Sequence, residues 1–158
     1  MRKTVALHLA SLGRAESIPA LARLLEDANG FVRSYVGIGV RRAVADGRAD
    51  DEFRRRAYDL LLPQCDQEWE GDVNDAADVV VELDPQRAAT DFASGRWLTS
   101  ENLYAYQILE ACNRSKIPLP EDVVRPLYEH ALPRATGALL PARERRRRGA
   151  GGAGLPAR

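Results

Sequence analysis

The stretch Ile18-Pro19-Ala20-Leu21-Ala22-Arg23-Leu24-Leu25-Glu26-Asp27, with Phe31-Val32-Arg33 close behind it, carries the strongest periodic signal in the chain. Ile18, Leu21, Leu24 and Leu25 fall at i, i+3, i+6 and i+7, one stripe of a helix. Pro19 stands in the first turn of that helix, where its missing amide hydrogen costs little. Val32, Val36, Val40 and Val44 then repeat every four residues, which marks a second helix.

The same spacing extends in both directions. A first helix is expected over 2–12, and later stripes comprise Phe53, Ala57, Leu60 and Leu61, then Val73, Ala76, Ala77, Val80 and Leu83. Leu103, Tyr106 and Leu109 follow, and then the doublets Val123/Val124 and Leu127/Tyr128. No segment shows the strict alternation of a half-buried strand. Asp50, Asp72, Asp84 and Ser100 stand where a side-chain oxygen can cap a first turn. Gly13 and Gly47 fall just past helix ends, where a left-handed residue is needed. Asn29-Gly30 and Ser94-Gly95 read as linkers. The expected pairs are 2–12 with 17–27, 31–45 with 51–63, 73–83 with 85–94, and 101–114 with 120–132. Short loops make partners antiparallel, and a pair length of ~30–40 residues fits a helical repeat array.

On these residues the chain resembles the HEAT-repeat family of armadillo-type helical repeats. Pro19 near a helix start, Asp27 eight residues on, and Val32 with Arg33 opening the next helix match that family's signature. The match is specific over residues 5–45 and becomes degenerate beyond. The resemblance implies an all-α, right-handed solenoid of about four antiparallel hairpins. It spans a domain over 1–134, with a disordered Arg/Gly/Ala-rich tail over 135–158. In such a turn Asp27 accepts backbone N–H groups, and the Arg33 guanidinium bridges its carboxylate or a counterpart in the next repeat.

Composition bounds the function. Basic and acidic side chains number 23 each, so no global field steers the chain toward nucleic acid. The apolar stretch Val5 to Leu12 is too short, and too interrupted by His8 and Ser11, for a secretory signal. No run of ~18 apolar residues offers a membrane span. Cys65 and Cys112 are expected as reduced, buried thiols of a cytoplasmic protein. Charge is nonetheless uneven. Asp66 to Asp84 carries eight carboxylates and no Lys or Arg, whereas Arg143 and Arg145 to Arg148 crowd the tail. The tail cluster is either a solubilising end or a contact for nucleic acid or an acidic partner.

Chemistry-bearing motifs are sparse. His8 and His130 belong to the first and last helices, too far apart in a stacked array to share a metal. Asp66-Gln67-Glu68-Trp69-Glu70-Gly71-Asp72-Val73 imitates the opening of a calcium loop. Its twelfth position, which should supply a bidentate carboxylate, is Ala77, so no metal or cofactor is expected. Gly37-Ile38-Gly39 lies inside a helix stripe and reads as a close-packing site rather than a phosphate loop. Trp69 and Trp97 flank the joints between pairs, and are open to three readings: partner-facing anchors, plain packing, or catalysis.

These features favour a non-catalytic protein-binding scaffold. Its binding residues are expected at Trp69, Glu68, Glu70, Asp72 and Trp97, facing a basic segment of a protein partner. Nucleic acid is disfavoured because the region around Trp69 would repel phosphate. The alternative is an enzyme on a HEAT-like fold, of the DNA glycosylase or bilin lyase type, for which Trp69 with Glu68 or Glu70 is the only pairing available. A third expectation is a piece of a longer array, since the first helix has no polar cap ahead of it.

Overall fold

The structure, a computed structural model, describes residues 1–66, 76–99 and 101–138. Among them are eight α-helices, two short 3₁₀ segments and no strand. Helix α1 spans Arg2–Ser11, α2 Ile18–Leu25, α3 Gly30–Ala45 and α4 Asp51–Leu61. Helix α5 spans Ala76–Leu83, α6 Pro85–Ala93, α7 Ala105–Arg114 and α8 Glu121–Ala138. The 3₁₀ segments Ala15–Ser17 and Leu62–Asp66 lead into α2 and out of α4.

Local chemistry sets three of the helix starts. Asp50 accepts the Phe53 N–H at 2.7 Å, and Asp84 accepts the Arg87 N–H at 2.9 Å. Each satisfies a donor that the first helical turn leaves without an intrahelical partner. Asn29 is a cap rather than a linker residue: its side chain accepts the Phe31 N–H at 3.0 Å, and Gly30 is already helical. Gly13 and Gly47 have φ of +63° and +66°, the left-handed conformation that closes α1 and α3. The caps read at Asp72 and Ser100 lie outside the described residues.

Two boundaries differ from expectation. Helix α7 begins at Ala105 rather than near residue 101, because side chains claim the backbone ahead of it. Asn102 accepts the Tyr104 N–H at 2.9 Å and donates to the Trp97 carbonyl at 2.7 Å. Such bonds compete with helix formation. Helix α8 runs to Ala138, across the boundary expected at 134. Once a helix is nucleated, each further residue adds one hydrogen bond. The rest of the expected tail, 139–158, lies outside the described residues.

The apolar stripes meet in one core. Ala6 and Ala10 of α1 and Val32, Val36 and Val40 of α3 are fully buried, as are Phe53, Tyr58 and Leu61 of α4. Val79 and Val80 of α5, Phe92 of α6 and Ile108 of α7 continue the same cluster. In the contacts between elements α1 packs on α3, α3 on α5 and α5 on α7, while α2 packs on both α3 and α4. Ion pairs bridge the same neighbours: Arg41 of α3 to Glu82 of α5 at 2.6 Å, and Arg114 of α7 to Asp78 of α5 at 2.5 Å. Arg87 of α6 reaches Asp59 of α4 at 2.6 Å. Part-exposed pairs of this kind contribute about 0–1 kcal/mol each, so apolar burial dominates the association of the helices. No helix among the described residues is long and apolar enough to cross a membrane.

Candidate functional site

The residues of the α2–α3 turn come together. Asp27 accepts the Asn29 N–H at 2.9 Å, as expected of a turn carboxylate. Its other oxygen is taken by Arg2 of α1 at 2.6 Å. Arg33 donates to the Asp27 backbone carbonyl at 2.6 Å, so both arginines converge on one residue. Val32 is buried in the first turn of α3, and Pro19 is exposed in the first turn of α2. Arg2, Asp27 and Arg33 tie the turn together.

Glu68, Trp69, Glu70 and Asp72 lie outside the described residues. Trp97 is described, and it is only 7% exposed, within the core cluster. The Arg96 guanidinium stands 4.8 Å from its ring centroid, a cation–π contact at the surface. As placed, its contacts are those of a packing residue. Beside it opens a cleft of about 400 Å³ whose walls include Asp66, Glu101 and Tyr104. Asp66 and Glu101 are exposed to water, the opposite of the desolvated setting that tunes a catalytic carboxylate.

A second polar cluster lies between α4 and α6. The buried Tyr58 hydroxyl donates to Asp91 at 2.7 Å, and Arg87 stacks over the Tyr58 ring at 4.2 Å while pairing with Asp59. Burial first, then the Asp91 carboxylate, push the Tyr58 phenol well above its ordinary 10.0. The hydrogen bond to Asp59 raises Arg87 above the usual guanidinium value. A phenol held this firmly protonated is a structural donor, and it does not act as a base near neutrality. Cys112 is likewise buried, which pushes its thiol up to about 11. Cys65 is also a buried thiol. Neither is exposed, as a thiol used for nucleophilic chemistry must be.

A further cavity lies along α1, where sequence reading assigned no site. It measures about 620 Å³ and is walled by Val5, His8, Leu9 and Leu12 of α1 together with Arg42 and Arg48. Val5 and Leu12 are 51% and 53% exposed, large fractions for aliphatic side chains. Ala6 and Ala10 are at the same time fully buried on α3. Helix α1 thus carries two apolar stripes, one packed and one open. The open stripe runs Val5, His8 and Leu12, which is i, i+3 and i+7 of a helix-packing seam, while Leu9 at i+4 is partly buried against the core. That spacing was legible in the sequence. Which stripe would be covered was not.

No protein-family model, no curated protein and no solved structure matches the chain.

Proposed function

We propose that the chain is a non-catalytic protein-binding scaffold of HEAT-like helical hairpins stacked as a right-handed solenoid. The observation that carries this reading is the open stripe of α1. A solvent-facing seam at i, i+3 and i+7, backed by a packed stripe on the same helix, has the form of a binding face. The succession α1 on α3, α3 on α5 and α5 on α7 agrees with a stacked array, which would hold such a face rigid and extended.

The test is capture by the immobilised full chain, compared with the same chain carrying Val5→Asp and Leu12→Asp. Both sites are exposed, so the charges should leave the melting temperature within a few degrees of the parent. A stoichiometric protein retained by the parent and lost by the variant supports a scaffold acting through α1. Retention that instead disappears with Glu68→Gln and Glu70→Gln moves the binding face to the acidic segment. The absence of any retained protein at low and moderate salt would sink the reading.

A further inference from the structure

We infer that the α1 groove receives an amphipathic helix of a protein partner whose flanks are acidic. This rests on the scaffold reading and adds the chemistry of the occupant. The floor is apolar: Val5, Leu9 and Leu12 lie along α1, a helix ~15 Å long at 1.5 Å per residue, so about three turns of a partner helix cover it. Its far wall is cationic. Arg42 and Arg48 line the groove and share a single carboxylate, that of Asp46. Two guanidiniums against one carboxylate leave a surplus positive charge beside the seam. An apolar strip with one basic border is complementary to a helix that places Leu-type residues at i, i+3 or i+4, i+7 and Glu or Asp beside them.

The charge also decides against a second copy of this chain. A two-fold dimer packing α1 on α1 is isologous, so each copy would bring its own Arg42 and Arg48 to the same seam. Like charges meeting there oppose association. The local role of the two arginines, supporting the C-terminal end of α3 with its negative dipole end, requires no groove. The experiment therefore reads selectivity rather than stability.

Two stapled helical peptides of ~14 residues share the leucine seam and differ only in carrying Glu or Lys on the flanks; stapling removes the marginal stability of short isolated helices. Each is titrated against the full chain by fluorescence anisotropy at low and moderate salt. The Glu peptide should bind ~10-fold or more tightly than the Lys peptide, and its preference should shrink as salt screens exposed charges over ~10 Å at 0.1 M. Arg42→Gln with Arg48→Gln should remove the preference while retaining apolar affinity, and Leu12→Asp should abolish binding of both. Equal affinities, a preference for Lys, or no saturable binding by either peptide overturns the proposal. So does a concentration-dependent dimer of the parent chain that Leu12→Asp dissolves, which would give the groove to a second copy. If the peptides fail while capture still depends on Val5 and Leu12, the partner chemistry is wrong and the scaffold reading stands. If capture fails as well, both fall.

Discussion

Gly39 of α3 approaches α1 so closely that a Cβ built on it would lie 2.5 Å from the Ala10 Cβ and 2.7 Å from the Leu7 carbonyl oxygen. The two helices thus meet through small residues, Ala10 against Gly39. The missing side chain of Gly39 lets the backbones come together, in line with the packing role expected of that glycine from sequence.

Gly39→Ala tests this contact through two opposing terms. Alanine gains about 1 kcal/mol of helix propensity over glycine. Overpacking a core against backbone costs about 1–3 kcal/mol, and the Leu7 carbonyl cannot move aside without moving α1. The variant should be less stable by up to ~2 kcal/mol in urea denaturation. A stabilised variant would mean that α1 and α3 are not this close.

Leu21 and Leu24 share one sequence stripe but not one environment. Leu21 is fully buried, whereas Leu24 packs at the edge of the core. Leu21→Ala should cost roughly 2–5 kcal/mol, and Leu24→Ala clearly less. Equal losses would show that α2 is rotated from its described orientation.

Asp27 combines a turn acceptor with a partner for Arg2. Asp27→Asn retains an oxygen for the Asn29 N–H and gives up the ion pair, and with Arg2 largely exposed the cost should be about 0–1 kcal/mol. Asp27→Ala loses both and should cost about 1 kcal/mol more. A double-mutant cycle with Arg2→Ala isolates the pair, and a coupling indistinguishable from zero would remove it from the account.

Tyr58 predicts how the fold responds to base. Its folded pKa lies above 10.0, so the native state holds the proton more firmly than the unfolded chain does. The stability this contributes is complete below pH 10 and falls as pH rises toward the folded value. Tyr58→Phe should lose about 1–3 kcal/mol at neutral pH with the bond to Asp91, and should flatten the decline above pH 10. An unchanged alkaline slope would show that other groups control it.

Cys112 has the same sign at a lower pH. Its thiol is pushed up to about 11 from an ordinary 9.0, so the stability it contributes is present below pH 9 and declines between pH 9 and 11. At ~pH 8 a thiol-alkylating reagent should label Cys112 far more slowly in the folded chain than in urea. Rapid labelling of the native protein would contradict its burial.

Sequence alone was sufficient where the deciding contacts are local. Asp50 and Asp84 cap helices by bonding N–H groups three residues away, and Gly13 and Gly47 answer to the φ of their own backbone, so neighbouring residues determine both. The 3.6-residue period located the helices for the same reason, because it is a property of each segment alone. Asn102 shows the edge of this rule: its bonds to Tyr104 and Trp97 are nearly local, yet a stripe beginning at Leu103 conceals them. Tertiary structure decided what depends on residues distant in sequence. Arg2 reaches Asp27 across 25 positions, a pairing that no local spacing announces. Trp97 is buried because other segments of the chain close over it. Val5 and Leu12 are as apolar as residues of the core, and the packing of Ala6 and Ala10 on α3 leaves them facing solvent. Hydrophobic burial has no direction of its own, so spacing can name the apolar faces of a helix, but only the arrangement of its neighbours selects which one remains open.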